Sequence, residues 1–225
     1  MSDFHLNELA SICRELLRDE GYTIRPVEDF NLVRKVADIL GKPYLTPKLS
    51  PFMNDFTPQN CFWLLLEKDN EVIAAGGCRF DDLGDMKLSQ FWKNNIARNY
   101  MSNSSVISDV AKPVDEALTG KLVYFGDLII EKKNRGRATV LRRFTHFAQA
   151  FAMLKFSPDF SYAFVRERDA GRGAMGAYGF NTIIHSAQRW QNAPEYHRDD
   201  DAVLYVDRRY FSYYAQLRCQ SPEKL

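Results

Sequence analysis

Residues 122–154, LVYFGDLIIEKKNRGRATVLRRFTHFAQAFAML, decide how this 225-residue chain is read. Leu122, Val123, Tyr124, Phe125, Leu128, Ile129 and Ile130 form a nearly continuous apolar run, the pattern of a strand covered on both faces. A helix is expected from about Ala138. Leu141, Phe144, Ala148, Phe151 and Ala152 fall on one stripe at helical spacing, with Val140, Phe147 and Leu154 widening it. Arg142, His146 and Gln149 share the opposite face, so His146 is expected at the surface, and Pro158 closes the unit. Between strand and helix lies a basic Arg-Gly turn. The first N–H groups of a helix have no intrahelical partner, and the helix dipole adds partial positive charge there. Lys133, Arg135 and Arg137 crowd the same spot. Such a site suits an anion, most naturally a phosphate. A solvated basic turn is the other reading of the same letters. Neither GxGxxG nor GxxxxGK[ST] occurs in the chain.

Working outward, Tyr22 opens a strand that leads into a helix, with Pro26 in its first turn and Phe30, Val33, Val36, Ala37 and Leu40 as its apolar stripe. Gly41 and Pro43 stop it. Residues 61–66 and 72–80 read as a hairpin around the polar turn Lys68-Asp69-Asn70-Glu71. After the long helix, strands are expected at 161–165, 182–186 and 203–206, with a glycine-rich helix over 170–178. Residues 3–20 read as a helix with Leu6, Leu9, Ile12 and Leu16 on one side. Residues 84–120 read as an insertion. It holds a helix from Met86 to Met101, with Leu88, Phe91, Trp92, Ile96 and Tyr100 inward, broken by Ser102–Ser105.

The stretch Leu128-Ile129-Ile130-Glu131-Lys132-Lys133-Asn134-Arg135-Gly136-Arg137-Ala138 resembles the acyl-CoA-binding motif of the GNAT N-acetyltransferase family. That motif runs as a strand ending L-x-V, a short turn, then [QR]-x-x-G-x-[GA] opening a helix. Arg135 falls at the Gln/Arg position and Gly136 at the glycine that commonly follows. The chain departs from the pattern at Ala138 and Val140, where Gly and Gly/Ala are usual. A branched Val140 side chain would crowd a pyrophosphate. Reading Lys133-x-x-Gly136-x-Ala138 restores the glycines and shifts the strand by two. The order of elements also follows the family over roughly residues 22–210.

The resemblance implies an α/β (α+β) fold with a mixed, largely antiparallel sheet flanked by helices and splayed fourth and fifth strands. Residues 1–21 would be an N-terminal helical extension. Residues 22–225 would form the acyltransferase domain, with the insertion at about 84–120 covering the acceptor side, packing as an appendage, or making a dimer contact. It implies acetyl-CoA or another acyl-CoA as co-substrate. Leu128, Ile129 and Ile130 would line the pantetheine arm. Lys133, Arg135, Gly136, Arg137, Ala138 and Thr139 would hold the pyrophosphate. A small-molecule or peptide amine would attack the thioester directly, with a strand N–H polarising its oxygen. Family members often carry a Tyr five residues before a Gly-Phe pair to protonate the leaving thiolate. Met175 stands there before Gly179-Phe180, and Tyr178, three residues later, is the candidate acid, or packs. Asp127 is the candidate base. It interrupts an apolar strand, where an unpaired charge is costly, so a structural pair with an Arg such as Arg79 would explain it equally. Asp81 and Asp82 would bind a cationic acceptor or form a polar turn. An acyltransferase taking longer chains from CoA or acyl carrier protein, and a non-catalytic acyl-CoA-binding module, are the alternatives.

Composition sets the outer limits. A formal net charge of +1 gives no global attraction to nucleic acid or anionic membrane. No run approaches the roughly 18 apolar residues needed to span a bilayer. The N-terminus lacks the pattern of a signal peptide. Cys13, Cys61, Cys78 and Cys219 are scattered, which suits reduced thiols and a cytoplasmic home. The four His and four Cys nowhere stand at metal-ligand spacing, so no metal is expected. His5 and His197 have no identifiable partners, and His185 reads as structural. The aromatic stretch Arg209–Tyr214 packs either internally or across a homodimer.

Overall fold

The computed structural model describes residues 2–27, 29–42, 44–99, 107–193 and 197–225. Helix α1 (Ser2–Asp19) precedes β1 (Tyr22–Pro26), α2 (Leu32–Ile39), β2 (Cys61–Lys68) and β3 (Glu71–Asp82). The insertion carries α3 (Leu88–Asn99), β4 (Ile107–Val110) and α4 (Lys112–Ala117). Then come β5 (Lys121–Ile130), the 3-10 turn Lys132–Asn134, α5 (Ala138–Phe156) and β6 (Phe160–Arg166). Two short helices follow, α6 (Glu167–Ala170) and α7 (Ala174–Ala177), then β7 (Thr182–Ile184), β8 (Gln188–Trp190), β9 (Asp201–Asp207) and α8 (Arg208–Gln220).

Seven strands form the main sheet in the order β1-β2-β3-β5-β6-β9-β7, and β4 pairs β8 separately. Every pairing in the main sheet is antiparallel except β5 with β6. This is the mixed, largely antiparallel, helix-flanked sheet that the resemblance implies.

Both faces of the sheet are covered, which is why its central strands read as unbroken apolar runs. On β2, Phe62, Leu64 and Leu66 enter one core with Leu6, Leu9, Cys13 and Leu17 of α1, Phe144 of α5 and Phe211 of α8. Cys61, Trp63 and Leu65 enter the other, with Val33 and Val36 of α2, Trp92 of α3, Val114 of α4 and Trp190 of β8. Helix α1 thus contributes fully buried side chains to the same core as α5.

Two expectations are corrected. Pro26 ends β1, opposite Leu64, rather than sitting in the first turn of a helix. An edge strand tolerates a residue without an N–H, and the helix starts only at Leu32. The helix expected over 170–178 is broken at Gly173, which has φ +87°. The pair β4–β8 and the helix α4 were not anticipated, being too short to show periodicity. In the C-terminal aromatic stretch Phe211 is fully buried, while Tyr210 and Tyr213 are exposed. Pro43, Tyr100, Met101 and Ser102–Ser105, and the side chain of Ile96, lie outside the described residues. Among the described residues no helix is long and apolar enough to cross a membrane.

Candidate active site

Strand β5 decides the site. Against β3 it pairs Gly126 with Gly77 and then Ile129 with Ala75, so it holds one extra residue at Asp127–Leu128. Asp127 has φ +48°, and this bulge bends the strand. The bulge also exchanges faces: Leu122, Tyr124 and Ile129 belong to one core, Phe125, Leu128 and Ile130 to the other. Against β6 the pairing is confined to Leu122–Tyr124 with Phe160–Tyr162. Beyond Tyr124 the two strands, fourth and fifth of the main sheet in chain order, are splayed.

The splay opens a cleft of about 270 Å³, lined among others by Lys42, Asp127, Leu128, Phe164, Tyr178 and His197. Asp127 is buried, and its carboxylate is ion-paired with Lys42. It also accepts from Thr46 N at 3.0 Å and Thr46 Oγ1 at 2.8 Å. The partner is Lys42, from the segment after α2, and not Arg79, which donates through Nε to Asp81 at 2.8 Å and through Nη1 to Asn54 Oδ1 at 3.0 Å. Tyr178 caps α7 at the opposite wall. Burial, with Asp169 adding, pushes its phenol up, so it stays protonated at neutral pH.

His146 is not at the surface. It is fully buried, as are Thr145 and Gln149 beside it, because α5 lies under the sheet on one side and against α1 and α7 on others. The His146 Nδ1–H donates to Arg142 O at 2.6 Å, and Nε2 accepts from the Tyr214 hydroxyl at 3.0 Å. Thr145 Oγ1 donates to Ala177 O at 2.7 Å, and Gln149 Nε2 donates to Tyr178 O at 3.3 Å while Gln149 Oε1 accepts from Ser161 Oγ at 2.7 Å. Of the stripe read as solvent-facing, Gln149, with Thr145 beside it, thus holds the end of α7 and Tyr178, and His146 ties α5 to Tyr214 of α8.

Sequence reasoning also missed His197. It lines the cleft, lies 3.4 Å through Nδ1 from Asp201 Oδ2, and stacks on Trp190. Burial, with Lys48 adding, pulls its pKa down to about 4, so the ring is neutral at pH 7. The i,i+4 spacing of His197 and Asp201 was the available signal.

At the far end of β5, Gly136 has φ +90°, a conformation that suits glycine, and Ala138 is the first helical residue. Among the described residues the N–H groups of Gly136, Arg137, Thr139 and Val140 have no acceptor. Val140 turns its side chain inward, 8% exposed, and leaves the turn uncrowded. Arg137 Nη1 donates to the Tyr22 hydroxyl at 2.5 Å, and Arg135 Nε to Ile130 O at 3.2 Å. Lys133 is exposed and paired with Glu71 at 2.9 Å and Glu131 at 3.3 Å. Of the residues expected along the arm, Leu128 lines the cleft, the Ile129 side chain is buried in the core, and Ile130 lines a second, apolar cavity beneath the start of α5. Away from the cleft, His5, Glu8 and Cys219 come within 4.8 Å of one another, a grouping that sequence spacing concealed.

No protein-family model and no curated protein matches the chain. Among solved structures, it is similar to FeeM, an N-acyl amino acid synthase from uncultured soil microbes, at 10% identity and a TM-score of 0.47, covering 87% of this chain and 97% of that one. It is similar to NAA60 of Arabidopsis thaliana in complex with acetyl-CoA, at 10% identity and a TM-score of 0.47, covering 83% and 98%. It is also similar to a polyamine N-acetyltransferase of Drosophila melanogaster, at 11% identity and a TM-score of 0.47, covering 83% and 99%. Likenesses at this level carry no weight for activity, substrate or site residues.

Proposed function

We propose that this chain is a divergent GNAT-type, acyl-CoA-dependent N-acyltransferase that passes an acetyl group from acetyl-CoA to a primary amine by direct attack in a ternary complex. The observation that carries the reading is the single-edged second half of β5. It runs from a cleft holding Asp127 and Tyr178 to a turn with four unpartnered N–H groups and two arginines. A linear donor with amides along its arm and a pyrophosphate at its end fits that succession of groups. The backbone edge pairs with the amides, and the helix start takes the phosphates. Lys133, Arg135, Gly136, Arg137, Ala138 and Thr139 hold that end, and Leu128, Ile129 and Ile130 flank the arm.

Direct attack leaves the enzyme two proton transfers and the task of alignment, which alone accounts for several kcal/mol of barrier. Tyr178, protonated and half-buried, donates to the departing thiolate. Asp127 takes the proton of the amine, with His197 as its competitor for that role. Asp127 is already engaged by three donors, whereas His197 is neutral and oriented by Asp201. The variants Asp127→Asn and His197→Gln separate the two. A cytoplasmic home belongs to the same proposal and rests on four free thiols.

The test is thiol release from acetyl-CoA in the presence of a panel of primary amines. Turnover is expected, with Tyr178→Phe lowering kcat about 10- to 1000-fold while acetyl-CoA affinity holds. Turnover only with long-chain acyl-CoA or acyl carrier protein would replace the acetyl donor. Binding without turnover of any donor would overturn the enzymatic reading.

A further inference from the structure

A second compartment lies beside the cleft, on the insertion side of the sheet. Its aromatic walls are Phe91 and Trp92 of α3, Tyr124 of β5 and Tyr162 of β6. Lys48, Arg79, Asp81, Asn95 and Gln188 supply its polar groups. Its free space is about 20 Å³, room for a water-sized or carboxylate-sized group and not for a whole substrate. Tyr124 borders both this compartment and the cleft. The Lys48 ammonium sits 4.1 Å from the centre of the Phe164 ring, which itself lines the cleft. The two cavities therefore share a wall built from Tyr124, Phe164 and Lys48.

The hydrogen-bond inventory of this compartment is unbalanced. Arg79 and Asp81 satisfy one another. Gln188 is 1% exposed, and neither its Nε2 nor its Oε1 has a partner among the described residues. Lys48 rests on rings and has no hydrogen-bond acceptor among the described residues. The opposite charges of Asp201 and Asp127 act on it only at Coulombic range. Three donor groups, Lys48 Nζ, Gln188 Nε2 and Asn95 Nδ2, thus line the compartment against two amide oxygens, Gln188 Oε1 and Asn95 Oδ1. A buried amide left unpaired at both ends costs free energy until something completes it. Burial lowers Lys48 to about 7, so an anion placed against it would be doubly favoured: it would restore both charge and hydrogen bonding.

We propose, building on the acyltransferase reading, that this compartment is the acceptor subsite and that it takes the carboxylate end of a small amine-bearing acid, such as a free amino acid. One carboxylate oxygen accepts from Lys48 and the other from Gln188 Nε2, while Gln188 Oε1 accepts an N–H or O–H near the carboxylate. A site whose polar groups are completed by one functional group discriminates strongly against analogues that lack it. Asp81 does not oppose this, because Arg79 neutralises it within the same strand.

The experiment compares matched acceptors that keep the amine and change only the other end: glycine with glycinamide, phenylalanine with phenylalaninamide, and agmatine as a dication. Thiol release from acetyl-CoA is read for native protein, Lys48→Met and Gln188→Glu. The native chain is expected to favour the free acids at least 10-fold in kcat/KM. Lys48→Met should erase that preference, and Gln188→Glu should invert it, with acetyl-CoA affinity unchanged by calorimetry in both. Preference for the amides or for agmatine, or a preference that survives in Lys48→Met, would overturn the proposal.

A readout without the donor keeps this separate from the acyltransferase reading. Tryptophan fluorescence is titrated with phenylalanine and its amide, with Trp92→Phe as the control for the reporting ring. Saturation by the acid alone, lost in Lys48→Met, supports the subsite even if no acyl-CoA binds. A flat titration of folded protein means that the compartment holds water only, and the proposal fails.

Discussion

The two halves of β5 contrast sharply. From Leu122 to Tyr124 the strand has hydrogen-bonded neighbours on both edges and side chains packed into two cores. From Gly126 to Ile130 it keeps β3 on one edge only, begins with a left-handed Asp127, and borders a cleft. The same apolar composition therefore does two jobs. The first half holds the sheet together, and the second leaves a row of backbone groups for a ligand to pair with. One inserted residue at the bulge separates the jobs, because it bends the strand and exchanges its faces.

Truncation should separate the halves most visibly. Leu122→Ala removes a fully buried side chain in the closed half and is expected to cost about 2–5 kcal/mol. Leu128→Ala, half-buried at the cleft, should cost only about 1–2 kcal/mol and weaken acyl-CoA binding instead. Chemical denaturation beside ligand titration reads both; equal stability losses would abolish the contrast.

Acid tests the support behind the open half. His146, which ties α5 to Tyr214 of α8, has its pKa pulled down to about 4 by burial, against 6.5 for an ordinary histidine. The unfolded chain takes up this proton below about pH 6.5 and the folded chain only near pH 4. Stability is therefore full above pH 6.5 and lost as pH falls toward 4, by up to about 3 kcal/mol at about 1.4 kcal/mol per unit. His197 is shifted the same way, so His146→Gln should flatten the pH dependence in part rather than wholly. Unchanged steepness in that variant would remove His146 from the account.

Asp127→Asn has a modest expected effect on stability. It strips Lys42 of its charge partner but leaves an amide for Thr46, and the Lys42 side chain is 18% exposed. A loss of about 2 kcal/mol is expected, below the roughly 3–5 kcal/mol for breaking a fully buried pair. Adding Lys42→Met should recover most of it, since the two side chains then no longer couple. A full additive loss in the double variant would mean that the pair does not hold the 42–46 segment over the cleft.

What was legible in the sequence is what short-range pattern can carry. The strand at 122–130, the basic turn and the helix from Ala138 stand where periodicity put them. Helix faces were legible only against one partner. His146 and Gln149 look solvent-facing on a wheel, yet a second layer of α1, α7 and α8 buries that face. Asp127 was recognisable as an anomaly, but its partner Lys42 lies 85 positions away, and nothing local names it. His197 escaped for the same reason: its place in the cleft comes from the turn before β9, not from any motif. Gln188 sits on a three-residue strand too short to announce itself.

The central claim is that the open half of β5 and the turn beyond it form one binding track for an acyl-CoA. Calorimetric titration of the native protein with CoA and acetyl-CoA, beside an Arg135→Ala/Arg137→Ala variant, tests it most directly. The account predicts a single site of micromolar affinity for both ligands, lost in the folded variant. Native protein that stays folded and binds neither ligand, or a variant that binds as tightly as the native chain, would contradict it.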